Sequence, residues 1–405
     1  MDKHNDNTDE IKQELAADGS PSGIEAEEYT PYPFDADKIS ITNQKMSLSN
    51  VIRRIKRGLI RAADIQRDEN LWDKGKKSRL IESLMLKIPL PLFYVARNTD
   101  DVLTIVDGLQ RISAIREYVS EDSKAKFNAL EFLTEYNGKI YKNLPENMKI
   151  RIEETELDFV IIEPDSPPEV QRNIFKRLNT GGLPLTEQEI RHALYYGPAT
   201  ALLKELADSE EFIRATGESI KDSRMAGQEM VLRFLAFSIF GTEKYLNNNM
   251  DTFLSSAMES INSNQILIYS NRQKTKTKIV TLKKAGIDVE ALKEKFKLAM
   301  TRAAKLFEDH AFRKSTPVDR SRRRPINKSL FEVWASILAD MDEQQFNRLL
   351  RRRKRLYKTL NCAFKDKSST LTKNTSTDTH SIASVTGRFE AVLKIVVEIT
   401  QETNE

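Results

Sequence analysis

The chain has 405 residues, 39% of them hydrophobic, which suits two or three cored domains at roughly 150 residues each and excludes a wholly disordered protein. Its 64 basic and 60 acidic side chains leave a net charge of only +4, and its single cysteine, Cys362, excludes an intrachain disulfide or a cysteine–zinc cluster. The four histidines are scattered, no apolar run approaches ~18 residues, and the first residues are not basic then apolar, so no histidine-built metal site, transmembrane helix or signal peptide is expected and a reducing cytoplasm is the expected setting.

Residues 1–38 are polar and acid-rich, contain GSPSG and YTPYPFD, and are expected to form a disordered leader. Structure is expected from Ile39. LSNVIRRIKRGLI has helical period, and SRLIESLMLKI has it more clearly, with Leu80, Ile81, Leu84 and Leu86 on one stripe, Ser78 as a cap and Pro89 and Pro91 as a stop. PLFYVAR (91–97) and VLTIVD (102–107) are β-rich, and the polar NTDD between them predicts a hairpin or neighbouring strands. LQRISAIREYV predicts a helix and LDFVII (157–162) a buried strand. PPEVQRNIFKRL predicts a helix with prolines in its first turn, closed by NTGG, and Thr186 with Glu189 forms a capping box for the next helix. Beyond residue 185 the pattern is helical without convincing paired strands, and the polar stretch 366–381 is expected to be a mobile loop. The expected organisation is therefore an α+β domain over 39–185 and a helical domain over 186–405.

TIVDGLQRISAI (104–115) joins a strand to a helix through Asp107, Gly108, Gln110 and Arg111. A helix N-terminus offers unpaired N–H groups and partial positive charge, Gly108 permits close approach, and Arg111 can fork onto phosphate oxygens. Gln110 can orient a water or read a base edge, while Asp107 can hold a metal ion or a ribose hydroxyl. The plainer alternative is an Asp-Gly turn followed by a surface arginine.

VDGLQRISAI resembles the DGQQR motif of the ParB/sulfiredoxin-like domain at the N-terminus of GmrSD-type modification-dependent restriction proteins. Three further stretches agree with that family in order: residues 65–95 (IQRDENLWDKGKKSRLIESLMLKIPLPLFYV), 174–193 (IFKRLNTGGLPLTEQEIRHA) and 224–237 (RMAGQEMVLRFLAF). Leu109 departs from the family, which usually has glutamine there. The resemblance implies a ParB/sulfiredoxin-like fold and a protein that binds, and in relatives often hydrolyses, a nucleoside triphosphate to control action on DNA. By motif it assigns Asp107, Gln110 and Arg111 to chemistry, with Asp107 as the ligand of a magnesium ion. It assigns Gln66, Arg67, Gly108, Arg177, Asn179, Gly181 and Gly182 to nucleotide binding, although the glycines of NTGG are equally read as a helix C-cap. It implies a place in restriction or antiphage defence beside partner proteins. The histidine–metal nuclease domain of full-length relatives is expected to be absent, since His310 and His380 lack the accompanying acid and asparagine–histidine pattern.

No Walker A loop is present, because Asn70 stands where the first glycine belongs. Asp107 with Asp122-Ser123-Lys124 imitates a carboxylate nuclease pattern only by coincidence of spacing. The C-terminal half is strongly basic: Arg322, Arg323 and Arg324 lie in one segment, and Arg351, Arg352, Arg353, Lys354 and Arg355 in another. Arginine at this density fits phosphate-backbone contact with DNA; the alternative is a solvated helix or an acidic protein partner. The leading function is thus a triphosphate-binding, DNA-acting protein. A non-enzymatic DNA-binding or regulatory module and a ParB-like nuclease stand as alternatives.

Overall fold

The computed structural model describes residues 13–15, 21–25, 40–62, 72–98, 100–120, 123–166, 171, 173–174, 185–220, 224–246, 248–269, 277–318 and 323–401. The chain divides into two compact units: residues 33–196, and residues 1–32 together with 197–405. Two short strands, β1 (Gln13–Leu15) and β2 (Pro21–Glu25), pair antiparallel and belong to the second unit.

The first unit is built on β3 (Ile41–Ser47), β4 (Ile60–Ala62), β5 (Phe93–Arg97), β6 (Leu103–Asp107) and β7 (Glu156–Ile162). They form one mixed sheet in the order β3-β7-β5-β6-β4, with β7/β5 and β6/β4 parallel and the other two pairs antiparallel. The expected hairpin of β5 and β6 is present. One face carries α1 (Leu48–Lys56), α2 (Lys74–Met85), α3 (Leu109–Val119) and α4 (Glu146–Glu153). There Leu80, Ile81 and Leu84 of α2 and Ile112 and Ile115 of α3 bury against Phe93, Val95, Ile105, Phe159 and Ile161. α2 starts a turn earlier than the sequence predicts, because Asp73 accepts the Lys76 N–H at 2.8 Å as its cap. Ser78 instead is buried and donates to the Lys74 carbonyl.

The other face is covered by α5 (Glu187–Leu194), whose Ile190 and Ala193 pack on Ala96, Val106 and Ile162. Its capping box between Thr186 and Glu189 forms as the sequence predicts. Because α5 buries its apolar side on this sheet, the division between units falls at Tyr196/Gly197 and not at 185/186.

Glu82, on α2, is buried and accepts the backbone N–H groups of Glu131, Phe132 and Leu133 at 2.9, 2.7 and 2.8 Å. Burial alone would raise its pKa, but the three amides favour the anion and hold it below the ordinary 4.5. Its stabilising contribution is therefore complete above pH ~4.5 and lost as pH falls through the lower folded value. Glu82→Gln should lower stability at neutral pH by roughly 2 kcal/mol and flatten the acid limb of a pH series of urea melts. An unchanged acid limb would contradict this role.

The second unit is mainly helical: α6 (Pro198–Ala207), α7 (Glu210–Thr216), α8 (Ala226–Phe240), α9 (Met250–Ser263), α10 (Val289–Phe307), α11 (Lys328–Asp340), α12 (Glu343–Arg351), α13 (Arg353–Lys365), α14 (Thr370–Asn374) and α15 (Ile382–Gln401). Three details differ from the sequence reading. A hairpin, β8 (Gln265–Tyr269) with β9 (Thr277–Thr281), interrupts the helices. Residues 366–381 hold α14, with Leu371 buried and the hydroxyls of Ser369 and Thr372 returned to the Ala363 carbonyl. One apolar anchor and local hydroxyl bonds order a stretch that shows no apolar period.

Part of the expected leader is also ordered. The Ile24 side chain is fully buried, the Glu25 N–H donates to the Ile326 carbonyl at 2.7 Å, and the Glu25 carboxylate meets Lys314 Nζ and Asn327 Nδ2 at 2.9 and 2.8 Å. A single isoleucine and a single acid find partners 300 residues away, which local composition cannot reveal.

The unit's core encloses an ionic network. Glu332, fully buried on α11, accepts from Arg233 of α8 with one oxygen and from Arg388 of α15 with the other. Arg233 also meets Glu229 at 2.8 Å, and Glu229 accepts from Lys328 at 3.2 Å. Removing one partner leaves buried charges uncompensated, so Glu332→Leu should cost about 3–5 kcal/mol in a denaturant titration. A loss under ~1 kcal/mol would show the network to be incidental to stability.

Candidate functional site

Residues 103–106 of β6 are buried and Asp107 emerges at the strand end. Between Tyr94 and Val95 the β5/β6 register shifts, Tyr94 facing Asp107 and Val95 facing Ile105, so a bulge re-aims the end of β6. Gly108 follows with φ +99°, the left-handed region, and is the N-cap of α3. A Cβ there would lie 2.5 Å from Phe93 Cδ1 and 3.2 Å from Arg111 Nη2, so close packing as well as backbone angle requires glycine. No side chain caps α3, which leaves its first-turn N–H groups at the strand end.

Arg111 is not a surface arginine. Its guanidinium lies 4.3 Å from the centroid of Phe93, donates to the carbonyls of Pro91 and Leu92, and donates to Asp107 Oδ2 at 2.9 Å. The Leu92 bond is 3.0 Å, and only 11% of the side chain is accessible. Burial lowers its affinity for the proton, and the Asp107 carboxylate opposes that shift. One guanidinium thus ties together the start of β5, the end of β6 and the first turn of α3. Asp107 is 39% accessible, with one oxygen taken by Arg111. Gln110 follows on the same helix, half-buried. Leu109, the residue that departs from the family motif, packs against the first core.

The structure brings together Asp107, Gly108, Gln110 and Arg111. Gln66, Arg67, Arg177, Asn179, Gly181 and Gly182 lie outside the described residues, as does Arg322. Among the described residues no three histidine, cysteine, aspartate or glutamate side chains gather as a metal site.

Two polar features on the α5 face of the sheet escaped the sequence reading. Gln188, Glu189, Arg191 and His192 are consecutive or nearly so on α5 and all are buried. Arg191 Nε donates to Gln188 Oε1 at 3.3 Å, while Gln188 Nε2 has no hydrogen-bond partner among the described residues. Arg61 of β4 lies 4.1 Å from the centroid of Tyr196, whose ring meets His192 edge-on at 6.0 Å. The signal available in sequence is a helix, EQEIRHAL, whose apolar positions are too few to account for its burial.

In the helical unit, Arg351, Arg353, Lys354 and Arg355 are exposed, and Arg352 is half-buried with its guanidinium on the Ile399 carbonyl at 2.7 Å. The helix breaks at Arg352, between α12 and α13, so the run is not one continuous helical stripe. Arg323 and Arg324 are exposed as well. Both basic segments reach one turn: Arg353 lies 3.8 Å from Glu308 and Arg323 3.8 Å from Asp309. Nearby Arg313 is buried, and desolvation, with Arg323 adding repulsion, pushes its pKa down to about 10.

A mixed sheet whose bulged strand end carries an Asp-Gly turn into an uncapped helix, followed in the chain by a mainly helical unit with exposed arginines, defines an α+β architecture. Residues 48–196 match the family model of the GmrSD restriction endonuclease N-terminal domain, and the mixed sheet with its flanking helices is consistent with a domain of that type. The match takes in all of the sheet unit from α1 to Tyr196, and ends where the unit ends. No curated protein matches the chain. Among the described residues no helix is long and apolar enough to cross a membrane.

The geometry makes Arg111 a fastening. Arg111→Lys keeps charge but loses the fork, and should destabilise the protein by about 2–4 kcal/mol. Gly108→Val should do at least as much through strain and overlap with Phe93. Thermal melts that match the parent protein would refute both.

Proposed function

We propose that the chain is a DNA-acting component of a restriction or antiphage system, in which the sheet unit binds a nucleoside triphosphate and the basic helices contact DNA. The carrying observation is the GmrSD-type domain over residues 48–196, with its Asp107-Gly108 turn intact at the strand end. On this reading the first-turn N–H groups of α3 receive phosphate oxygens, Gly108 admits them to the backbone, and Arg111 positions Asp107. A magnesium ion would arrive with the triphosphate, which supplies most of its ligands, and Asp107 would contribute one carboxylate oxygen. Bound magnesium would offset phosphate charge beside that carboxylate. Gln110 is proposed to orient a water, which makes hydrolysis an extension of the same reading. Gln66, Arg67, Arg177, Asn179, Gly181 and Gly182 are proposed to complete the nucleotide site, and other defence proteins are proposed partners.

DNA contact is proposed for Arg322, Arg323, Arg324, Arg351, Arg352, Arg353, Lys354 and Arg355, with Arg352 holding α15 as well as adding charge. Backbone contact of this kind is independent of sequence and weakens with salt. The regulatory alternative, binding without turnover, is favoured by Leu109, which packs half-buried against the core and supplies no polar group.

Two measurements test the reading. Equilibrium dialysis with labelled ATP, GTP and CTP should show magnesium-dependent binding of at least one, weakened tenfold or more in Asp107→Ala; no binding of any would reject the nucleotide role. Duplex DNA affinity should fall linearly on a log–log plot against salt, and replacing Arg351, Arg353, Lys354 and Arg355 by glutamine should reduce the slope by about 3–4. An unchanged slope would remove α12 and α13 from the DNA surface.

A further inference from the structure

Arg61 presents a different case from Arg111. It lies on β4 in register with Thr104 of β6, and its neighbour Ile60 is buried in the first core. Side chains alternate along a strand, so Arg61 faces the opposite side of the sheet, the α5 face. Tyr196 confirms this by stacking on the guanidinium. Among the described residues Arg61 makes no hydrogen bond and no ion pair, and its Nε is buried without an acceptor.

An aromatic ring compensates a guanidinium on its flat face only. The N–H groups point outward in the plane of the fork, and a buried N–H without an acceptor costs about 1–3 kcal/mol. Among the described residues no carboxylate pairs with Arg61 as Asp107 pairs with Arg111. The groups placed beside it are its cross-strand partner Thr104 and Tyr196, whose ring meets the imidazole of His192. None of these brings negative charge.

We propose that Arg61, held flat by Tyr196, is an anion-binding group that receives the oxygens of a phosphate on the α5 face of the sheet. Fork geometry suits two phosphate oxygens at once. The half-buried position lets the phosphate enter from solvent while its charge is felt in a poorly screened setting. This site is separate from the Asp107 end of β6, whose Arg111 packs on the first-core residue Phe93. The phosphate belongs to a free nucleotide or to a DNA backbone.

The test uses the full chain, with metal-free inorganic pyrophosphate as the first probe and a short DNA duplex as the second. Pyrophosphate should raise the melting temperature of the parent protein. Arg61→Met should melt no lower than the parent without ligand, because an unpaired buried charge is removed, and should lose affinity tenfold or more. Arg61→Lys, which keeps the charge without the fork, should fall between. Loss confined to pyrophosphate assigns a free nucleotide; loss confined to the duplex assigns the DNA backbone. Equal affinity of parent and both variants for both probes would overturn the proposal, as would Arg61→Met and Arg61→Lys melting well below the parent with affinity intact. Because no metal is present, these outcomes leave magnesium-dependent binding at Asp107 to be judged separately.

Discussion

The guanidinium of Arg111 is the constraint on which the sheet unit is organised. It satisfies the carbonyls of Pro91 and Leu92, which precede β5 and have no strand partner there, and it neutralises Asp107 at the end of β6. Phe93 lies beneath it and stacks in turn on Phe159 of β7, 5.3 Å away. Three strands and a helix are therefore registered by one side chain and the ring under it. Gly108 is part of the same device, since any side chain there would occupy the space that Phe93 and Arg111 fill. A motif that reads as phosphate chemistry is also the fastening of the fold, and the exposed oxygen of Asp107 is what remains for a ligand.

That division of labour explains why cations elsewhere matter. Arg111 has committed donors to two carbonyls and a carboxylate, whereas Arg61, among the described residues, has a ring and no acceptor. Both arginines sit on aromatic faces, and the difference between them is the presence of an anion. The helical unit solves the same problem of buried charge differently, by alternating Lys328, Glu229, Arg233, Glu332 and Arg388 so that each acid meets two cations. That leaves its exposed arginines, on α12, α13 and the segment around Arg323, to face solvent.

Local signals carried much of the fold. β5, β6 and β7 are short β-branched or aromatic runs, α2 and α3 have clear apolar period, and the capping box at Thr186 names the start of α5. What local signals could not carry was long-range pairing. Ile24 and Glu25 are ordered by Ile326, Lys314 and Asn327, and α14 by Leu371 and the Ala363 carbonyl. The unit boundary moved because α5 is held by Val106 and Ile162, not by its neighbours in sequence. At the site, the residue types of DGLQR were legible. The direction of Arg111 was not, because the two carbonyls it serves lie 19 and 20 residues upstream.

The most direct measurement is native-state hydrogen exchange on Arg111→Met compared with the parent protein. If Arg111 fastens the sheet, the amides of β5, β6 and the first turn of α3 should exchange faster by a factor of ten or more while those of α10 and α11 are unchanged. Exchange identical to the parent across β5 and β6, with only ligand binding lost, would contradict this account and return Arg111 to the role of a phosphate ligand alone.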